Sequence, residues 1–189
     1  MRTVPLLPNQ HYHIYNRGVD KQPIFFLPEN WSFFLRRLRQ YFTSERASII
    51  AYCLMPNHYH LLVQTKTDDF SKTVMQPFTV SYTKAINRQQ NRVGPLFQGP
   101  FQARLIEREH YLLELATYIH LNPVISGLVP APEAWEYSSF RDYIGLRMGT
   151  LPQPEIVLSR FTDSEAYSMH INERQGKKPE IPEELFMDS

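Results

Sequence analysis

Residues 54 to 64 read Leu-Met-Pro-Asn-His-Tyr-His-Leu-Leu-Val-Gln, and the fold and the chemistry are both predicted outward from this stretch. Its apolar, partly β-branched flanks predict a buried strand. Side chains alternate between faces along a strand, so we expect His58 and His60 together on an exposed face of a sheet. Tyr59 and Leu61 would then point to the core. Two imidazoles so placed can bind one divalent metal ion, although a His-x-His pair taken alone is more often structural.

A second segment that carries chemistry is Thr-Tyr-Ile-His-Leu-Asn-Pro-Val at 117–124. The apolar pattern before it predicts an amphipathic helix over 109–121. Tyr118 and Asn122 are four residues apart, which places a hydroxyl and an amide on one helical face. The residue before a proline is disfavoured in a helix, so Pro123 is expected to displace Asn122 to a frayed helix end. Tyr111, earlier on the same helix, is the alternative hydroxyl.

The remaining elements follow from the hydrophobic periodicity and the turn residues of the chain. Pro77 is expected to kink or split the second helix. The order β-α-β-β-α-β-α predicts an α+β fold, with a ferredoxin-like core and an extra helix free to pack on the sheet or on a partner subunit. The predicted strands cover 11–15, 48–54, the His-Tyr-His segment and 101–107, and the predicted helices cover 29–42, 70–86 and 109–121.

The composition indicates a globular protein of one main domain. The chain has 189 residues, of which 42% are hydrophobic and 13% aromatic, enough for a substantial core. Its single cysteine, Cys53, excludes an internal disulfide and suits a reducing cytoplasm. We expect no membrane partner, because no segment approaches the ~20 apolar residues of a membrane span. The first residues also lack the apolar core of a signal peptide.

Charge is distributed unevenly along the chain. Residues 1–154 hold 16 Lys/Arg and 11 Asp/Glu, whereas residues 155–189 hold 4 and 8, for an overall net charge of +1. The basic body predicts phosphate contacts, and a ridge of Lys84, Arg88 and Arg92 at four-residue spacing is either such a contact or a solvated face. The expected DNA-binding residues are Arg17, Arg36, Arg37, Arg39, Lys84, Arg88, Arg92 and Arg104.

The acidic end of the chain is harder to interpret. We predict a main domain over 1–148 and an extension over 149–189 that is regulatory, dimer-forming or only a solvated appendage. Deleting residues 155–189 is expected to leave DNA affinity unchanged or to raise it, because acidic groups repel phosphate.

Five sequence blocks, in this order, resemble the single-tyrosine HUH transposases of bacterial insertion sequences, and most closely their REP-associated branch. The resemblance covers roughly residues 11–145, and one departure from the family is Pro100, where an arginine is frequent. The blocks are His-Ile-Tyr-Asn-Arg-Gly (13–18), Tyr-Cys-Leu-Met-Pro-Asn-His-Tyr-His-Leu-Leu (52–62), Pro-Leu-Phe-Gln-Gly (95–99), Tyr-Ile-His-Leu-Asn-Pro-Val (118–124) and Tyr-Ser-Ser-Phe (137–140).

The resemblance implies a role for each matching residue. His58 and His60 would bind Mg²⁺ or Mn²⁺, with Asn122 as the third, amide-type ligand. Tyr118 would cut single-stranded or hairpin DNA and keep the 5′ phosphate as a phosphotyrosine, serving its own chain or the partner in a possible homodimer. His11 and His13, a second pair at the same spacing, are expected to be structural or to support the ligands, the alternative being that His13 reaches the metal or the scissile phosphate.

Two other functions remain open at this level. A replication-initiator-type nickase would use the same chemistry without excision. A non-catalytic DNA-binding protein or repressor would retain the fold and lose turnover. For all three functions, the expected location is the bacterial cytoplasm, in association with the nucleoid.

No metal role is expected for His120, which should face away from Tyr118 on the helix.

Overall fold

The computed structural model describes residues 6–185, and its centre is a four-stranded antiparallel sheet. The strands are β1 (His11–Arg17), β2 (Ala47–Met55), β3 (His58–Thr65) and β4 (Gln102–Leu105). The strand order β2-β3-β1-β4 is the ferredoxin-like arrangement predicted from the element order. A two-residue turn, Pro56-Asn57, joins β2 to β3, so that Met55 pairs directly with His58.

Two helices, α1 (Pro28–Tyr41) and α2 (Gln76–Gln89), cover one face of this sheet. Their apolar stripes enter a core shared with the sheet residues Tyr59 and Leu61, as the strand alternation predicts. A π-helical turn, Ser71–Met75, precedes α2. Pro77 therefore stands in the first turn of α2, where its missing N–H costs nothing, and the predicted split of this helix is confirmed.

The third helix, α3 (His110–Ile125), packs on the opposite face, against β2 and β3 of its own chain. Its predicted end is wrong, because the helix continues through Pro123. Asn122 stays helical, and its carbonyl accepts a hydrogen bond from the Ser126 N–H at 2.9 Å. Leu121, Asn122 and Pro123 are all buried, and this packing offsets the helical hydrogen bond that a proline cannot donate.

After α3 the chain wraps over that helix through α4 (Phe140–Tyr143), α5 (Glu155–Leu158) and α6 (Ser164–Arg174). Tyr167 and Ile171 of α6 are completely buried in the core around α3, and Leu185 is buried beyond them. Residues 155–185 are therefore not a solvated appendage, because their apolar side chains complete a core that α3 leaves open. The division at residue 148 stays a prediction.

Two expectations from composition can be compared with the described residues. Cys53 is free and completely buried in β2, and this burial raises the pKa of its thiol. Across residues 6–185, no helix has the length and apolar character needed to span a bilayer. The expectations about residues 1–5 and about the last four residues of the acidic extension lie outside the described part of the chain.

Candidate active site

The His-Tyr-His segment begins β3 and places its two histidines on one face of the sheet. The rings of His58 and His60 are perpendicular, with centroids 4.9 Å apart, as expected for a shared face. The expectation that this face is exposed is wrong. His60 is completely buried and His58 is only 9% exposed, because α3 and the chain after it cover the face.

Hydrogen bonds orient both rings. His58 Nδ1 lies 2.6 Å from Asn57 Oδ1, an oxygen that can only accept, so Nδ1 carries the hydrogen and Nε2 keeps the lone pair. His60 Nδ1 lies 2.9 Å from Nε2 of His13 on β1. The Nε2 atom of His60 is buried and has no hydrogen-bond partner among residues 6–185. His13 thus contacts His60 and supports it, in line with the expectation that it is structural or lies behind the ligands.

Burial keeps the imidazoles of His13 and His60 neutral. It lowers the pKa of His60 well below the ordinary histidine value, and the neighbouring imidazoles and Arg17 lower that pKa further. Burial is also the main reason that the pKa of His13 is lowered to about 4. Because a neutral imidazole is the form that binds a metal ion, His60 is in a metal-binding protonation state at neutral pH.

Tyr118 of α3 lies beside these histidines within a single chain. Its half-buried ring is edge-on to the ring of His60, with centroids 5.6 Å apart, and to that of His13 at 6.4 Å. Asn122 follows one helical turn later on the same face and is only 5% exposed, and its Nδ2 atom has no hydrogen-bond partner within the described part of the chain. Tyr111, by contrast, packs its ring against that of His110, with centroids 4.1 Å apart.

The donor set of His58, His60 and Asn122 fits a divalent metal ion that takes only a few of its ligands from the protein. The buried Nε2 of His60, which has no hydrogen-bond partner among the described residues, carries a lone pair that a metal ion would satisfy, and Asn122 would bind such an ion through its amide oxygen. Within residues 6–185, no group of three or more His, Cys, Asp or Glu side chains is arranged to hold a metal ion. Amide, water and phosphate oxygens would therefore complete the coordination, as Mg²⁺ and Mn²⁺ accept.

A groove of about 680 Å³ opens beside Tyr118 on α3. Apolar residues of α3, among them Leu121 and Val124, form one wall. The segment 174–179 forms the other and brings Lys177 and Lys178 to the groove. No sequence pattern indicated this groove, because its two walls are about 50 residues apart in the chain.

His120 belongs to a structural network on the other side of α3. Its Nδ1 lies 2.7 Å from the Tyr167 hydroxyl and its Nε2 lies 2.8 Å from Ser139 Oγ. Ser139 Oγ also accepts a hydrogen bond from the backbone N–H of Tyr52 at 2.8 Å. The Tyr-Ser-Ser-Phe block thus joins α3 to β2 through Ser139. Burial lowers the pKa of His120 to about 3.

The predicted DNA-binding residues do not form one surface. Arg17 pairs with His58 and Arg104 pairs with His13, and cross-strand partners share a face, so these two flank the histidines. The residues of α1 and α2 lie on the opposite side of the sheet, which contradicts a ridge that includes Arg104. These are Arg36, Arg37, Arg39, Lys84 and Arg88.

Arg92 departs from the predicted ridge in a second way. The helix α2 ends at Gln89, and Asn91 then turns the chain with a φ of 50°. Arg92 is consequently off the helical face of Lys84 and Arg88, with its guanidinium carbon 5.4 Å from the ring centroid of Phe26. The four-residue spacing was misleading here because the helix stops one turn before the pattern does.

The comparisons with known proteins agree with the fold. A protein of Haemophilus influenzae named as a REP-associated tyrosine transposase is 31% identical over 101 residues, which are 48% of this chain and 57% of that relative. The solved structure of a REP-associated tyrosine transposase bound to a REP hairpin aligns with a TM-score of 0.59 at 14% identity, covering 81% of this chain and 89% of the other. A transposase of Deinococcus radiodurans, 18% identical, covers 63% of this chain and 95% of its own at a TM-score of 0.43, too low to bear on the fold.

The family comparison covers the segments that form the candidate site described above. The model for the family described as Transposase IS200 like matches residues 7–122, which include β1, the His-Tyr-His strand, Tyr118 and Asn122. The match extends over more than half of the chain, and the resemblance noted from the five sequence blocks is confirmed. The chain belongs to the family of IS200-like transposases.

Proposed function

We propose that this protein cleaves and rejoins single-stranded DNA through a 5′-phosphotyrosine formed on Tyr118, with Mg²⁺ or Mn²⁺ held by His58, His60 and Asn122. The observation that carries the proposal is the position of the Tyr118 ring, 5.6 Å from the ring of His60 in the same chain. The proposed nucleophile and one proposed metal ligand thus lie side by side within one chain. A homodimer stays a prediction.

The residues divide the chemistry between them. The Tyr118 oxygen would form a bond to phosphorus as the bond from phosphorus to the 3′ oxygen breaks, and the phenol proton would pass to that oxygen or to solvent. When bound, the metal ion would draw negative charge from a nonbridging phosphate oxygen. His58 and His60 would hold it through Nε2 lone pairs that their Nδ1 hydrogen bonds leave available. Attack by another 3′ hydroxyl would reverse the step and join two strands.

The substrate class follows from the shape and charge of the approach to Tyr118. The groove beside this residue is apolar along α3 and carries Lys177 and Lys178, a combination suited to bases and phosphates of a single strand. Arg17 and Arg104 flank the histidines and would contact the phosphates. We propose hairpin DNA as the substrate type of this chain, because the related structure is bound to a REP hairpin. The proposed location of the activity is the cytoplasm, at the nucleoid.

The test is a search for a covalent adduct that survives denaturation. The full chain is incubated with end-labelled single-stranded hairpin DNA and Mn²⁺, and separated on a denaturing gel. Wild-type protein should form an adduct that carries the label on the DNA 3′ to the cut, and EDTA should prevent it. Tyr118→Phe should form none, because it loses one oxygen and keeps the ring. Tyr111→Phe, the matched control on the same helix, should retain the adduct.

Other outcomes would point elsewhere. An adduct formed by Tyr118→Phe would contradict the assignment and make Tyr111 the candidate. Tight binding of the hairpin by wild-type protein with no adduct would favour a non-catalytic DNA-binding protein or repressor. An adduct that never transfers to a second 3′ end would favour a nickase.

A further inference from the structure

A chain of hydrogen bonds connects the far end of the described sequence to the buried histidine pair. The Leu185 carbonyl oxygen lies 2.6 Å from His13 Nδ1, and His13 Nε2 lies 2.9 Å from His60 Nδ1. His13 and His60 are completely buried, and Leu185 is 5% exposed. This series of hydrogen bonds ends at His60 Nε2, a buried atom for which the described residues provide no partner.

The first link determines the position of every hydrogen in this chain. A carbonyl oxygen can only accept, so His13 Nδ1 must donate to Leu185. In a neutral imidazole the other nitrogen then has a lone pair, so His13 Nε2 must accept from His60 Nδ1. That leaves the lone pair of His60 on Nε2. With the opposite tautomer, His60 would bury an N–H donor without a partner and leave two lone pairs facing each other.

We propose that His13 is a positioning residue, which uses the Leu185 carbonyl to fix His60 in the tautomer that presents Nε2 as a ligand. The proposal rests on the proposed function in one respect, namely that His60 binds the metal ion. His58 obtains the same result differently, through the Asn57 amide 2.6 Å from its Nδ1. The two ligands thus have separate orienting groups, one from a local turn and one from the C-terminal segment.

Strand β1 makes His13 suitable for this task. The strand is paired on both sides, so the His13 backbone is held between Leu62 of β3 and Arg104 of β4. A ring on such a central strand has little freedom to turn away from its partners. Residues that orient a metal-binding histidine typically change metal affinity by about 10- to 100-fold when they are removed.

The direct test measures the tautomer of His60 without metal. The full chain, labelled with ¹⁵N in its histidines and treated with EDTA, is examined by long-range ¹H–¹⁵N correlation, with the His60 signals assigned through His60→Gln. Wild-type protein should show a single His60 tautomer protonated at Nδ1. His13→Leu should give a mixture of both tautomers. His13→Gln should preserve the wild-type tautomer, because its amide oxygen accepts and its amide nitrogen donates at the same two places.

A second measurement follows Mn²⁺ affinity through the EPR signal of the free ion. His13→Leu should weaken binding by about 10- to 100-fold, with His13→Gln close to wild type. His11→Leu, two residues earlier on the same face of β1, is the matched control and should change neither readout. If His13→Leu does not fold, His13→Asn takes its place, since its side chain is polar but too short to span both partners, and it should behave as the leucine variant.

The two proposals fail in distinguishable ways. An unchanged His60 tautomer in His13→Leu, or a His13→Gln protein as impaired as His13→Leu, would overturn the positioning role. Wild-type protein that binds no Mn²⁺ and forms no DNA adduct would contradict the proposed function. The tautomer measurement would still decide whether the hydrogen-bond chain from Leu185 to His60 exists.

Discussion

Burial governs the chemistry of single histidines in this protein. His13, His60 and His120 are completely buried, and burial is the largest cause of the lowered pKa in each. Their partners differ: His13 and His60 are hydrogen-bonded to each other, whereas His120 binds two hydroxyl groups. The same residue type therefore serves as an orienting group, a candidate ligand and a structural link, according to what surrounds it.

The buried histidines predict a pH-dependent stability of the metal-free protein. The pKa of His120 is about 3 in the folded state, against 6.5 as its ordinary value. Below pH 6.5 the folded state therefore binds fewer protons at His120 than the unfolded state does. As a result, the free energy of unfolding has its full value above that pH and declines as the pH falls. His120 should lower the free energy of unfolding by about 1.4 kcal/mol per pH unit as the pH falls from 6.5 towards 3.

Urea unfolding between pH 7 and pH 4.5 tests this expectation. A glutamine in place of His120 (His120→Gln) can hydrogen-bond to both hydroxyl partners but does not titrate. The unfolding free energy of this variant should therefore fall less steeply with decreasing pH than that of wild type, by the amount that corresponds to one bound proton. Tyr167→Phe is the control: it removes one hydroxyl partner, should cost about 1 kcal/mol at pH 7, and should keep the wild-type slope. A His120→Gln slope equal to that of wild type would show that His120 is not the group that titrates.

At the scale of elements, α6 changes the interpretation of the C-terminal extension. The helix has an Asp163 cap, whose side chain accepts a hydrogen bond from the Ala166 N–H at 2.8 Å, and it lies against α3. Arg174 near its end forms a salt bridge with Glu114 of α3. A truncation from residue 155 would remove α6 and expose the apolar face of α3, so it should unfold part of the protein.

A pair of substitutions on α6 measures this contribution. Ile171 is completely buried, whereas Met169 on the same helix is 58% exposed. Ile171→Ala should lower the free energy of unfolding by about 2–5 kcal/mol, because it leaves a cavity in the core around α3. Met169→Ala, the matched control, should stay within about 0.5 kcal/mol of wild type. Equal small effects in chemical denaturation would mean that α6 does not support the main fold.

At the scale of the whole molecule, the sheet separates two functional sides. The histidines, Tyr118 and α3 lie on one side, and α1 and α2, which carry five of the eight predicted DNA-binding residues, lie on the other. DNA held at Tyr118 would meet Lys177 and Lys178 of the groove, and it would also meet Arg17 and Arg104, which pair across strands with the histidine positions. The basic residues of the far side would then be only a solvated surface.

The salt dependence of DNA binding distinguishes the two sides. Replacing Arg17 and Arg104 by Gln should weaken binding to single-stranded hairpin DNA and reduce the log–log salt slope by about 0.7 per lost contact. Replacing Lys84 and Arg88 by Gln removes the same charge from the α2 side and should leave the slope unchanged. If the second pair reduces the slope instead, DNA runs over α1 and α2, as the four-residue spacing first suggested.

Local patterns in the sequence were sufficient for the order of the elements from β1 to α3 and for the shared face of His58 and His60. Both follow from alternation along a strand and from the 3.6-residue period of a helix, which involve neighbours only. The same holds for the split at Pro77, because a proline acts on its own turn.

Only the tertiary structure decided which surfaces are covered and which residues meet. Helix α3 continues past Pro123 because burial against the sheet outweighs a local preference. Tyr118 meets His60 of its own chain because α3 packs on the histidine face, and His13 bonds to Leu185 across a separation of 172 residues. Such contacts depend on how distant apolar surfaces cover one another, and this is a property of the packed chain that no short segment contains.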